Sequence, residues 1–266
     1  MFVMNLFAIF QKELRSLFSS PLAYTVAGIF WLIAGFYLVG MLTHETGLIQ
    51  QIGLSDRNNL ITEPIDVAYI FVNSFFSILG SLCLFVLPLL SMGLYTKERK
   101  ADTLEFLVTN AIANWLIALG KLLGVVTFFI FTISPFLLYE AIIFSATKPS
   151  ISPTVPLLAH GGLILLATAI LAWGMFVSSL SDNKLVAAIL TFAVIIFFWI
   201  IDIFARNIGG NIGNVLQHLS LLRSYSNLIQ GVFELNDLVL LLSYIWLGIF
   251  LTTQSIEIFS ARKQIN

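Results

Sequence analysis

The chain has 266 residues, of which 59% are hydrophobic and only 10% charged, with 24 Phe and a mean hydropathy of +0.98. Globular domains carry about 25% charged residues to wet their surface, so these proportions exclude a water-soluble fold. A net charge of −1 with no long basic run excludes a nucleic-acid surface, and the single cysteine, Cys83, lies in an apolar run where it reads as a small core residue.

Residues 1–20 are predicted to form an interfacial amphipathic helix. Phe2, Leu6, Phe10, Leu14, Leu17 and Phe18 recur at helical spacing, while Gln11, Lys12, Glu13 and Arg15 cluster elsewhere on the wheel. A secretory signal puts its positive charge before the apolar stretch. Here Lys12 and Arg15 follow it, so this segment is expected to stay in the mature protein. Ser20 is the candidate N-cap of the next helix, with Pro21 as its first residue.

A membrane span needs about 20 predominantly apolar residues. Residues 21–43, 68–95, 116–146, 156–180, 185–205 and 238–256 each meet that requirement. Pro135 should kink the third span, and Ser181-Asp182-Asn183-Lys184 fits a tight turn between the fourth and fifth. After the fifth, Gly209, Gly210 and Gly213 break any helix. Gln217, His218, Ser220, Arg223 and Ser224 then oppose a crossing, which predicts short helices at the outer leaflet. The predicted fold class is an all-α integral membrane protein, a single transmembrane domain over residues 1–266.

Orientation follows from the Lys/Arg bias of short loops. With the N-terminus inside, Lys12, Arg15, Lys97, Arg99, Lys100, Lys121, Lys184, Arg262 and Lys263 lie on the cytoplasmic side, leaving Arg57, Lys148, Arg206 and Arg223 outside. Both termini are therefore expected in the cytoplasm.

Chemistry-bearing patterns are sparse. His44, His160 and His218 are scattered and accompanied by no metal-ligand spacing, there is no nucleophile elbow, and Gly120-Lys121 is followed by Leu122 rather than the Ser or Thr of a phosphate-binding loop. No catalytic, cofactor-binding or metal residue is assigned, and the chain is not expected to be an enzyme. Lys121, one turn inside a span, is expected to snorkel to the headgroups. Glu140, and Asp202 with Arg206 four residues on, are candidates to line an outer vestibule. There Glu140 serves either in transport or as a neutral, hydrogen-bonded carboxyl.

The most informative stretch runs from Tyr95 to Asn110. Asp102 with Glu105 makes a capping-box-like start, and Leu104, Leu107, Val108 and Ala111 share a face opposite Glu105 and Thr109. Asn114 is placed to cap the third span. By periodicity alone this short helix reads equally well as a chain-reversing connector and as a functional element.

Glu98-Arg99, then Thr103-Leu104-Glu105 and Leu107, then Gly120-Lys121, resemble the corresponding loop of ABC-2 type permeases. Lys12-Glu13-Leu14-Arg15 with Ser20-Pro21 resembles that family's amphipathic entry, and the stretch from His218-Leu219-Ser220 through Gly231 to Asp237 is similar to its gliding-motility-associated subgroup. Asp102 replaces the family's usual Gly, and Asn110-Ala111 replace its Ser-Pro, which leaves the length of the loop helix open. The resemblance implies the permease subunit of an exporter in a bacterial cytoplasmic membrane. A second copy or a related permease would complete the core, and a cytoplasmic ABC ATPase dimer would bind the ATP and magnesium. An auxiliary periplasmic-domain subunit is a further implied partner. Glu98, Arg99, Asp102, Thr103, Leu104, Glu105, Leu107 and Val108 would form the ATPase-docking segment. The competing classes are a self-sufficient channel or secondary carrier, and an anchor that transports nothing. The substrate is not readable: Phe along every span suits core packing and lipid contact alike.

Overall fold

The computed structural model describes residues 2–45, 47–57, 66–101, 112–145, 154–207 and 217–265, which are all-helical. The helices are α1 (Phe2–Phe18), α2 (Pro21–Thr43), α3 (Leu48–Arg57), α4 (Val67–Ser91), α5 (Gly93–Lys100), α6 (Asn114–Ser145), α7 (Thr154–Leu180), α8 (Lys184–Asn207), α9 (Leu221–Ile229) and α10 (Leu235–Ile265). Six helical stretches, built on α2, α4 running into α5, α6, α7, α8 and α10, are long and apolar enough to cross a membrane. These are the six predicted from hydropathy.

The bundle is organised around α7, which packs against α4, α5, α6, α8, α9 and α10. Its sequence explains why: Ala159, Gly162, Ala167, Ala169, Ala172 and Gly174 are all buried, and small residues let neighbouring helices approach closely where lipid offers no hydrophobic drive. A Cβ on Gly162 would lie 2.9 Å from Leu228 of α9, and one on Gly248 of α10 would lie 2.8 Å from Ala172. By contrast α8 turns Leu185, Ile189, Ile196, Phe197 and Phe204 outward, and α2 exposes Leu32 and Phe36. These exposed apolar faces suit contact with lipid. Inside, Phe30 of α2, Phe75 of α4 and Phe136 of α6 pack edge to face, so these buried rings are core.

Proline is accommodated by hydroxyls. Pro135 leaves the Phe131 carbonyl without an amide, and Ser134 Oγ donates to it at 2.9 Å. Trp31 Nε1 of α2 donates to the neighbouring Thr132 carbonyl at 2.6 Å, tying α2 to α6 beside Pro135. Helix α6 runs unbroken through Pro135.

Helix α1 lies against α6 over Gly120 and Gly124, where added Cβ atoms would stand 2.8 Å from Ile9 and 2.9 Å from Glu13. Glu13 is therefore not on a solvated face, as the helical wheel suggests; it is buried. Phe2, Val3, Met4 and Phe7 form the exposed apolar flank instead. Gly124→Ala should weaken this joint. The methyl gains about 1 kcal/mol of helix propensity but overpacks Glu13 by about 1–3 kcal/mol. The expected outcome is faster proteolysis of α1 with the spans intact, measured by limited digestion in detergent.

Several local expectations are corrected. Ser20 occupies the N-cap position before Pro21, yet its side chain makes no cap bond. Asn114 is already the first residue of α6, and the amides of Leu116 and Ile117 bond the Ala113 carbonyl instead. Helix α3 lies between the first two spans, where no helix is predicted; its half-buried Leu48 and Ile52 share a face. The predicted short helix after the fifth span is α9. Ser220 Oγ caps its start by accepting from the Arg223 amide. At its end Gly231 takes φ +73°, with Gly231 N bonding Leu228 O and Val232 N bonding Asn227 O. That is a Schellman ending, which favours glycine. Residues 208–216 lie outside the described set.

Candidate functional site

Of the proposed docking segment, Glu98 and Arg99 are described; Asp102, Thr103, Leu104, Glu105, Leu107 and Val108 lie outside the described residues. Helix α5 supplies both. It continues α4 past Pro88 and Met92, and the Ser178 hydroxyl of α7 stitches the junction by accepting from the amides of Tyr95 (3.0 Å) and Thr96 (3.3 Å) and donating to the Met92 carbonyl (3.0 Å). One hydroxyl thus serves three backbone groups at the break.

Lys121 does not snorkel. Its side chain is 2% exposed, and its ammonium donates to Glu98 Oε1 at 2.6 Å, the Leu94 carbonyl at 2.6 Å and Glu13 Oε2 at 3.2 Å. An ammonium has three donors, and all three are used. The Tyr95 ring lies 4.8 Å from the same nitrogen, a cation–π contact that strengthens when desolvated. Lys121 is too deep in the packed interface of α1, α5 and α6 for its stem to reach the surface.

Arg99 points the other way. Its Nε donates to Asp182 Oδ1 and its Nη1 to the Ser179 carbonyl, each at 2.5 Å, and its guanidinium carbon lies 4.6 Å from the centroid of Phe259 on α10. Two successive residues of α5 therefore fasten it to different helices: Glu98 to Lys121 of α6, which also holds Glu13 of α1, and Arg99 to the α7–α8 turn and α10. The Glu98 and Arg99 contacts seen here are within the chain. This arrangement has no nucleophile and no acid–base geometry; it is a brace for the turn that leads into residue 102.

Sequence spacing could not reveal these pairings, because Lys121 and Glu13 are 108 residues apart and Arg99 and Asp182 are 83 apart. The signal available was chemical: a lysine inside an apolar span requires a buried partner as readily as a route to water.

Glu140 does not line an open vestibule. It is 2% exposed, and its Oε2 stands 3.6 Å from Nδ1 of His160, which is 4% exposed. Asp202 and Arg206 lie on the last turns of α8, with their side chains outside the described set. His44 and His218 are exposed, and Cys83 is buried in α4. Among the described residues, no group of three or more His, Cys, Asp or Glu is placed to hold a metal ion. A cavity of about 620 Å³ between α2 and α6 is lined chiefly by apolar side chains around Pro135. It offers room for an acyl chain and no reactive group.

No protein-family model matches the chain, and no curated protein matches it.

Proposed function

We propose that this chain is the membrane-spanning permease subunit of an ATP-driven exporter of the ABC-2 type, in a bacterial cytoplasmic membrane with both termini in the cytoplasm. The observation that carries the reading is the convergence of its dispersed motif residues. Glu13, Glu98 and Lys121 meet in one buried cluster, and Arg99 is anchored beside it. The segment that such a subunit would dock into its ATPase follows directly from this brace. A displacement imposed on residues 102–110 would reach α1, α6, α7 and α10 together, because α5 is tied to α6, α7 and α10 directly and to α1 through Lys121. ATP and magnesium would be held by the partner, and this chain would supply the path and the linkage. A second copy or a related permease would complete the path, with an auxiliary periplasmic-domain subunit as a further partner.

The test is affinity purification of the tagged full chain from native membranes. The intact chain should retain an ABC ATPase in stoichiometric amount, and deletion of residues 102–110 should abolish that binding while the protein still inserts. ATPase binding that survives the deletion, or transport by the purified chain alone in liposomes without ATP, would overturn the proposal.

A further inference from the structure

Far from the ionic brace, α6 and α7 enclose a buried carboxyl beside a buried imidazole. Among the described residues, neither oxygen of Glu140 has a hydrogen-bond partner, and neither has His160 Nε2. His160 Nδ1 stands 2.9 Å from the Pro156 carbonyl, which assigns its N–H to that nitrogen, and 3.6 Å from Glu140 Oε2. The Phe76 ring closes the site edge to face, 4.8 Å from the imidazole. A carboxylate with no donor and no cation is too costly in such a place. The pair is electrically cheap only when it holds one proton, either as carboxylic acid beside neutral imidazole or as carboxylate beside imidazolium.

We infer that Glu140 and His160 form a proton-binding site that clasps α6 to α7, and that parting these helices discharges the proton. When water enters, the Glu140 O–H bond breaks, its electron pair stays on the carboxylate and the proton passes to water; closure reverses the step. The hinge for this motion is Pro135, five residues before Glu140 on α6. Other titratable or charged groups on the helices packed here include Tyr139 of α6, Tyr69 and Cys83 of α4, Arg223 and Tyr225 of α9, and Asp237 and Tyr244 of α10. Tyr225 donates to the Phe76 carbonyl, Tyr244 to the Leu219 carbonyl, and Asp237 accepts from Ser224 and Asn227. Among the described residues none of these is bonded to either member of the pair.

The sign follows from proton counts. Above about pH 6.5 an exposed glutamate and histidine together hold no proton, whereas the clasped pair holds one. Raising the pH therefore favours the open state, by up to tenfold per pH unit for one proton. The experiment uses the full chain in lipid nanodiscs with 15N-labelled histidine. Its three histidines give three imidazole signals, and His160→Gln identifies the one that belongs to the pair.

From pH 5 to 9 the His160 signal should hold one state. Glu140→Gln should shift the His160 signal. Between pH 7 and 9 the wild type should lose thermal stability relative to Glu140→Gln. Independent titration of His160 near pH 6.5 in the wild type, an unchanged His160 signal in Glu140→Gln, or parallel stability profiles would each overturn the inference. None of these readouts depends on a partner ATPase.

Discussion

Lys121→Met is expected to be among the most damaging single substitutions in the chain. Methionine keeps the stem but removes the cation, leaving Glu13 and Glu98 against the buried ring of Tyr95. Breaking a buried ion pair by removing one partner costs about 3–5 kcal/mol, because the remaining charge stays desolvated. At about 2–4 °C per kcal/mol for a chain of this size, the melting temperature in detergent should fall by about 10 °C. The control removes all the charge. Lys121→Met combined with Glu13→Gln and Glu98→Gln should recover most of the loss, since no unpaired ion is then buried. A single variant within about 1 kcal/mol of wild type, or a triple variant no better than the single, would contradict the buried triad. The same comparison separates stability from coupling. If the brace passes motion from a docked motor, the triple variant should be stable but deficient in ATP-dependent transport.

Gly174→Ala should produce a loss of similar kind by the opposite mechanism. In an open helical position the change gains about 1 kcal/mol, and Gly161, one side of the same helix, has nothing within 4 Å of an added Cβ. At Gly174 the methyl would overlap Ser91 of α4, with the Ser91 Cβ only 2.6 Å away, and stand 3.1 Å from Thr191 of α8. Ser91 is 0% exposed, and its hydroxyl already bonds the Pro88 carbonyl at 3.1 Å. It cannot swing aside without giving up that bond. Overpacking of this kind costs about 1–3 kcal/mol and outweighs the propensity gain. Gly174→Ala should therefore melt lower than wild type while Gly161→Ala melts level or higher. Adding Ser91→Gly to Gly174→Ala should restore part of the loss. Equal melting of the two alanine variants would mean that α4, α7 and α8 do not meet as described.

Hydropathy made the spans legible because a membrane helix must satisfy its own backbone, so a long apolar run has few alternatives. Pro21–Thr43 illustrates this: its bounds follow from Ser20-Pro21 and the polar residues after Thr43. Helix α9 was legible in kind, from the glycines before it and its mixed polarity. Glu13 was not, since a wheel separates polar from apolar residues but does not show that another helix will bring a lysine to the polar side. Nor was His160, whose neighbours in sequence are apolar and whose carboxylate partner lies 20 residues back on another span. The part of the proposed docking segment in residues 102–110 was legible as an amphipathic pattern and by the resemblance of its motif residues.

The amino-acid sequence by itself determined that the chain is all-helical, has six stretches able to cross a bilayer, and begins with an amphipathic helix. These are properties of local composition and period. Only the tertiary structure decided which ionisable groups meet. Lys121 faces Glu13 and Glu98, Arg99 faces Asp182, and Glu140 faces His160 because α7 is small-faced enough to draw its neighbours close and because Gly120 and Gly124 let α1 settle on α6. In a medium that cannot solvate charge, such meetings set the cost of every polar residue, and no reading of one helix at a time contains them.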